Sequence, residues 1–356
     1  MRAVTLIEPG RLELQEVDDP PCPPGGLVLK VAAALICSTD VHMWRRGHPA
    51  LRYPRIMGHE IAGVIAEVSP EITHLRAGDR VQLYPGIPCG GCRFCRRGRE
   101  NLCPALEIMG FTSDGGFADY VAVSERTVAH GGLSPMPSGL SFAVAALAEP
   151  VACCLNGLER AGSREGDTVL VLGGGPIGCL VAMISRHLGA GRVMVAEKSR
   201  TRAFLAASAS GEAVLDPGNG DLVEAVRDLT GGEGADLVVT CFREAARHYP
   251  LLELVATAGK LLCFSGLPGA EREVPLDLNR IHYGERTVTG AYGCTSAQCH
   301  KAVELLGGDL KADWLISHRV GLNDLVKGLE LVASQRAMKV CVEPWEEKDV
   351  ESCLVR

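Results

Sequence analysis

The chain has 356 residues, 43 acidic against 36 Lys or Arg side chains, and a formal charge of −7. That acidic balance argues against nucleic acid or an anionic membrane surface as the main partner. With 47% hydrophobic and 22% charged residues, the composition is that of a globular protein long enough for two domains, each with its own core.

No stretch approaches the ~20 apolar residues of a bilayer span. The N-terminus, MRAVTLIEPGRLELQEV, lacks the apolar block of a signal peptide, so a cytoplasmic protein is expected. In a reducing compartment its 15 cysteines do not read as a disulfide scaffold. Clustered ones point to metal, and scattered ones such as Cys179, Cys241 and Cys263 to small apolar core residues.

In chain order, the N-terminal segment alternates like a strand. LVLKVAAALI, IAGVIAEV, GDRVQLY and FADYVAVS follow as short β-type runs closely punctuated by Pro and Gly. They predict a largely antiparallel β domain with long loops. Between them lies CGGCRFCRRGRENLC, which places Cys89, Cys92, Cys95 and Cys103 at metal-ligand spacing. Four thiolates make a closed tetrahedral site, the pattern of structural zinc, with no position left open for a substrate. A site that has lost its metal and an iron–sulfur cluster are the alternatives. The basic run from Arg93 to Arg99 reads as a solvated loop surface.

From Ser141, SFAVAALAEPVACCLNGLERA turns to small apolar residues at helical spacing. From Thr168, strands and helices alternate: TVLVLGG, PIGCLVAMISRHLGA, RVMVAE, RTRAFLAASAS and AVLDP. A helix from Leu222, the strand ADLVVTC, a helix over 251–256 and the strand GKLLCFSG follow. Near-continuous apolar strands separated by helices predict a parallel sheet covered on both faces. TVTGAY is expected to be its last strand. The tail, with helices near 296–306 and 322–332, is expected to return to the first domain. The predicted boundaries are 1–152 for the first part of that domain, 153–290 for the parallel-sheet domain and 291–356 for the returning part.

VLVLGGGPIGCL holds Gly173-x-Gly175-x-x-Gly178 between a buried strand and a helix, the context that a dinucleotide fingerprint requires. Gly173, Gly175, Pro176, Ile177 and Gly178 would bring backbone N–H groups to a pyrophosphate. Glu197 ends the next strand, about 20 residues on, where a carboxylate binds a ribose diol. Its charge repels the 2′-phosphate of NADP, so NAD is expected over NADP. Lys198, Arg200 and Arg202 follow at once and would soften that preference, with Arg202 counted among the cofactor-binding residues.

Cys37 in ICSTDVH, His59 and Glu60 in MGHEIAG, and Glu149 in LAEPVACC are all good zinc ligands, and a catalytic zinc keeps three protein ligands and one open position. Each fragment alone also fits a core cysteine or a satisfied histidine. Taken in order, Cys37-x-Thr39-Asp40-x-His42, Gly58-His59-Glu60, the four-cysteine lobe, DGGFADYV at 114–121, Glu149-Pro150 and the later GxGxxG resemble the zinc-dependent medium-chain dehydrogenase/reductase superfamily over nearly the whole chain. Glu149 stands where cysteine-ligated alcohol dehydrogenases have a third ligand, and SHRVGL at 317–322 is similar to a late motif of the polyol (sorbitol-type) branch. Threonine and butanediol dehydrogenases share much of this pattern.

The resemblance implies an α/β protein: a GroES-like, mostly antiparallel β catalytic domain plus a Rossmann, doubly wound cofactor domain. It implies zinc held by Cys37, His59 and Glu149, with Glu60 bonded to the metal or to its water and the two carboxylates exchanging. Thr39 would take the alcohol proton and His42 would pass it to solvent through the nicotinamide ribose. The lobe would hold a second, structural zinc, giving two per chain. Homodimers or homotetramers joined through the strand near 287–291 are implied as well. Where many relatives have CGTD or CGSD, this chain has Ser38 in place of glycine, which bears on substrate fit. Trp44 and His48 are pocket or loop-packing residues, and Tyr292, Gly293 and Cys294 are expected near the cleft.

The expected activity is hydride exchange between NAD and a secondary alcohol, giving the ketone, on a polyol, cyclitol or sugar-derived substrate. A threonine- or butanediol-type dehydrogenase is the alternative enzyme. A non-catalytic dinucleotide-binding protein of the same fold is the alternative from another class.

Overall fold

The strand Leu27–Leu35, LVLKVAAAL, is buried at every position. It is covered edge to edge because Glu60–Val68 pairs antiparallel along its length, Tyr120–Val123 along its first half, and Lys339–Val342 at its end. The computed structural model describes residues 1–211, 214–267, 272–346 and 349–350. They form two units: Met1–Ala152 with the chain from Cys294 onward, and Cys153–Gly293.

Among the described residues, the main sheet of the first unit runs Leu133–Pro135, Arg80–Leu83, Glu60–Val68, Leu27–Leu35, Lys339–Val342, Ile316–Val320. Its pairs are antiparallel except the last, where Ile316–Val320 and Lys339–Val342 run parallel. The tail therefore returns to the first domain as strands. The core joins both parts of the chain, with Leu29, Val31, Ile61, Ile65 and Phe117 packed in one cluster with Leu325, Leu329, Val340 and Val342.

The second unit is a parallel sheet in the order Val214–Leu215, Arg192–Ala196, Thr168–Leu172, Ala235–Thr240, Val255–Cys263, Thr287–Gly290. Apolar strand residues such as Leu170, Met194, Val238 and Leu261 pack with Leu222, Val226 and Leu252 from the helices. Only Thr289 of the edge strand Thr287–Gly290 is even half-buried.

Five expectations need correction. The helix predicted over 251–256 stops at Leu254, and Val255–Cys263 is one long strand. Val255 pairs with Ala235, and a bulge with Ala258 at φ 59° carries the strand on to Lys260. The helical stretch from Ser141 breaks into Phe142–Ala146 and Ala148–Ala161. Pro150 has no N–H to donate to Ala146, which places the break at Leu147. That stretch, Phe142–Ala161, is also long and apolar enough to cross a membrane, but 72% of its most apolar window is buried inside the protein. The second unit keeps the chain to Gly293, three residues past the expected boundary at 290, because Asn156 Nδ2 donates to the carbonyls of Tyr292 and Gly293. Finally, Cys179 is buried as expected, but Cys241 is half-buried and Cys263 is exposed. Cys263 is the last residue of its strand and Cys241 the first beyond its own, so both sit at the sheet's rim.

Candidate active site and metal centres

Three neighbouring strands of the first unit converge on one pocket. Leu35 pairs with Glu60 on one side and Cys341 on the other. Two residues past Leu35, Cys37 caps the helix Ser38–Arg46. Asp40, completely buried, accepts the Cys37 N–H through Oδ2 at 2.8 Å and so fixes that turn. Gly58, at φ 94°, leads into His59; a Cβ there would meet the Phe117 ring at 2.9 Å. The ligand atoms of Cys37, His59 and Glu60 all lie within 4.8 Å of one another. Thr39 Oγ1 is 3.6 Å from Cys37 Sγ. His42 follows Thr39 by three residues on the same helix and, like it, is half-buried.

Glu149 does not belong to this group of three. It lies half-buried in the first turn of Ala148–Ala161, close enough that its charge reaches both Glu60 and Lys339. Lys339 reaches both Glu60 oxygens with Nζ at 2.5 Å, and neither side chain is more than 5% exposed.

Charge explains what this pocket wants. Burial pushes the Glu60 carboxyl up and Glu149 adds to that, while Lys339 pulls it down. Burial pulls the Lys339 ammonium down, but Glu60 and Cys37 outweigh it and hold it above its ordinary value. Two 2.5 Å contacts decide for the ionised pair. Burial would likewise lower the His59 imidazole, yet Asp40 and Cys37 raise it well above 6.5. His59 Nδ1 and Asp40 Oδ1 face each other at 3.4 Å, both buried and neither hydrogen-bonded among the described residues. Cys37, Asp40, Glu60 and Glu149 thus bring four acidic groups to a pocket whose cations are the raised His59 imidazole and Lys339, the latter already paired. A thiol, an imidazole and a carboxylate in one pocket with excess negative charge fit a divalent, N/S/O-ligated cation, with Asp40 as the carboxylate behind the histidine.

Phe111 packs beside this group. Its ring lies 5.3 Å from His59 and 5.5 Å from His48, edge-on to both. Trp44 instead packs against the first unit's core. Ser38 is exposed.

The second cluster is the lobe. The sulfurs of Cys89, Cys92, Cys95 and Cys103 lie within 4.8 Å of one another. Cys92 and Cys95 approach to 3.4 Å, and the Cys89 and Cys95 N–H groups point at Cys103 and Cys92 sulfurs. The Cys95 N–H draws the Cys92 thiol down to about 6, whereas burial and the Cys92 thiol push Cys95 up to about 12. Four thiols gathered this closely fit a closed Cys₄ metal site. Glu100 ties the lobe to the helix Ser296–Gly307 by accepting from Ser296 N at 2.8 Å and Ser296 Oγ at 3.1 Å. Arg93, Arg96 and Arg97 are exposed.

In the second unit, the strand Thr168–Leu172 runs into Gly173 at φ 109°, Gly175 caps the helix Pro176–His187, and Pro176 and Ile177 open it. Only glycine fits at 178, because a Cβ would stand 1.8 Å from the Gly173 carbonyl oxygen. Glu197 accepts from Gly174 N through Oε2 and from Ser199 N through Oε1, each at 2.8 Å. The carboxylate is therefore fixed beside the glycine turn. Arg202 places Nη1 3.8 Å from the Cβ position of Gly175, and its Nε is buried with no hydrogen-bond partner among the described residues. Tyr249 faces the same end; burial raises its phenol, and the charges of Glu197 and Asp216 add to that.

The profile of the alcohol dehydrogenase GroES-like domain matches residues 23–134, and that of the zinc-binding dehydrogenase domain matches residues 176–307. L-threonine 3-dehydrogenase of Pyrococcus horikoshii is 32% identical over 96% of this chain and 97% of its own length. The chain belongs to the zinc-dependent medium-chain dehydrogenase superfamily. D-altritol 5-dehydrogenase of Agrobacterium fabrum is also 32% identical, over 92% of this medium-chain dehydrogenase and 94% of its own length. A solved chain from Sinorhizobium meliloti, bound to NADP, superposes with a TM-score of 0.90 at 32% identity, covering 96% of this chain and 99% of that one. As a member of this superfamily the protein is an oxidoreductase acting on an alcohol CH–OH group. Its fold is the GroES-like domain with a parallel-sheet Rossmann domain.

Three residues of this dehydrogenase's pocket had no role assigned from sequence. Asp40 was visible only as part of a motif. Phe111 carried no signal. Lys339 did: a lone lysine inside the apolar strand Lys339–Val342 implies a buried cation, and a fully buried lysine needs a partner.

Proposed function

We propose that this dehydrogenase interconverts a secondary alcohol and its ketone on a neutral, hydroxyl-rich substrate of the polyol, cyclitol or sugar-derived class, with NAD as its redox partner. One observation carries the substrate class: Lys339, the cation that touches the Cys37–His59–Glu60 group, is already bound to both Glu60 oxygens. An amino-acid carboxylate would need a cation of its own, whereas hydroxyl groups need only neutral or acidic partners. The D-altritol 5-dehydrogenase relative supports this reading. The L-threonine 3-dehydrogenase relative supports a second, in which threonine is the substrate and His48, exposed beyond Phe111, faces its carboxylate.

In this proposal Cys37 and His59 hold the catalytic zinc, Glu60 and Glu149 share the third position, and Cys89, Cys92, Cys95 and Cys103 hold a structural one. When bound, zinc supplies Lewis acidity toward the substrate oxygen and NAD supplies the hydride acceptor. Thr39, beside Cys37, takes the hydroxyl proton, and His42 on the same helix face relays it outward. Asp40 orients His59. Glu197 binds the adenosine ribose and disfavours a 2′-phosphate. The edge strand Thr287–Gly290, with Val288 on it and Tyr283 before it exposed, is the surface through which a homodimer or homotetramer forms.

The test is a NADH-absorbance screen of the zinc-loaded protein against polyols, cyclitols and L-threonine, together with metal analysis. About two zinc per chain and turnover of a polyol are expected. Turnover of L-threonine alone would favour the second reading, and zinc-loaded protein silent on the whole panel would overturn both.

A further inference from the structure

Cys294 and Cys299 lie outside the Cys37–His59–Glu60 group and the four-cysteine lobe, though Cys294 belongs with Glu149 to a third set of candidate ligands, and their sulfurs touch at 3.8 Å. Both side chains are buried, 4% and 0% exposed. Local structure holds them together. Cys294 precedes Thr295, which caps the helix Ser296–Gly307 in a reciprocal pair with Gln298, and Cys299 is the next residue of that helix. The turn is fixed from outside as well, since Tyr84 donates to the Cys294 carbonyl at 3.1 Å and Ser296 donates to Glu100. A carboxylate oxygen of Glu149 lies within 4.8 Å of Cys294 Sγ, so this thiol pair borders the candidate active site.

We propose that Cys294 and Cys299 form a reversible disulfide when the protein meets a hydroperoxide, which makes the pair an oxidative modification site of the first unit. The sulfurs must close from 3.8 Å to a bond of about 2.05 Å. Cys294, the more exposed of the two, attacks one peroxide oxygen. The O–O bond breaks, Cys294 becomes a sulfenic acid and water leaves. The Cys299 sulfur then displaces the hydroxyl from the Cys294 sulfur as a second water. Two thiols lose two electrons and two protons, and one peroxide becomes two waters. A dithiol reductant reverses the bond by thiol–disulfide exchange. Hydrogen peroxide is small and uncharged enough to reach a buried pair through local opening.

The sequence provides a direct readout. Arg286 and Lys301 bracket a tryptic peptide, TVTGAYGCTSAQCHK, that holds both cysteines. Zinc-loaded full-length protein is treated with a small excess of hydrogen peroxide, quenched with catalase, denatured, alkylated and digested. Most of this peptide is expected two hydrogens lighter and unalkylated, while zinc stays bound, and a dithiol is expected to restore two alkylation sites. In Cys299→Ala the cross-link is absent and Cys294 is trapped by a sulfenic-acid probe. Activity lost in the wild type returns with the dithiol, and the variant lacks this reversible phase. Doubly alkylated peptide after peroxide, Cys294 linked to any other cysteine, or a cross-link that appears only as zinc is released would each overturn the proposal. The peptide measurement needs no substrate, so its outcome is independent of the proposed reaction, and the wild-type result stands even if the variant fails to fold.

Discussion

Replacing Lys339 with methionine isolates the energetics of the buried ion pair. The substitution keeps the side-chain length but leaves the Glu60 carboxylate, 1% exposed, without its cation. Removing one partner of such a pair costs about 3–5 kcal/mol. At about 2–4 °C per kcal/mol for a folding unit of this size, the melting temperature should fall by roughly 6–20 °C. The pH dependence has a definite sign. In the wild type, Glu60 and Cys37 outweigh burial and hold Lys339 above 10.5, so its contribution is complete below that value and is lost only as pH rises through the raised one. In the variant only His59 still opposes burial and Glu149, which both push Glu60 above 4.5. A carboxyl raised on folding stabilises fully below 4.5, and that stabilisation is lost as pH climbs through the raised value. K339M should therefore lose stability with rising pH across the weakly acidic range more steeply than the wild type, because Lys339 no longer pulls Glu60 down. Thermal melts of wild type, K339M, E60Q and the double variant from about pH 5 to about pH 8 close the cycle. The double variant should melt no lower than E60Q alone. If K339M melts within about 2 °C of wild type at neutral pH, or the double variant falls as far below E60Q as K339M falls below wild type, the ion-pair reasoning is wrong.

Other outcomes follow from the two metal clusters and the glycine turn. Cys95→Ser should lose about one zinc per chain and lower the unfolding midpoint, because a closed metal site contributes folding energy directly; full stability with turnover alone lost would reverse the roles of the two clusters. Gly178→Ala forces a methyl group to 1.8 Å from the Gly173 carbonyl, so NADH binding followed by fluorescence should weaken at least tenfold, about 1.4 kcal/mol. An unchanged titration would mean that this turn does not hold the nucleotide. Glu197→Gln should raise the NAD dissociation constant about tenfold and leave that for NADP unchanged or lower, and a parallel weakening of both would deny the carboxylate its discriminating role.

The fold was legible where periodicity was strong. Apolar strands such as Thr168–Leu172 and Ala235–Thr240, separated by helices, announce a parallel sheet because both of its faces are buried. It was less legible at Leu251–Ala256, where a short apolar run fits helix and strand equally and pairing with Ala235 decides. Cys37, His59 and Glu60 drew attention through their side-chain chemistry, and their ligand atoms meet. Lys339 is far from them in sequence, and only strand pairing brings it beside Glu60. Phe111 was invisible because a packing residue is defined by what it faces, which no local pattern encodes.

The Glu60–Lys339 contact also sets an order of events during synthesis. The first unit begins at Met1, but the strand Lys339–Val342 that completes its sheet and neutralises Glu60 is made only after the whole second unit. Until then the end of Leu27–Leu35 has an open edge, and a carboxylate destined for burial has no counter-charge. A chain interrupted before residue 339 would thus hold all four of the pocket's acidic groups without the strand and the cation that complete it. The second unit has its own core and sheet, and can form while the first waits. Completion of the pocket then reports that synthesis has passed residue 339, which makes shorter copies of this enzyme substrates for proteolysis rather than half-active competitors.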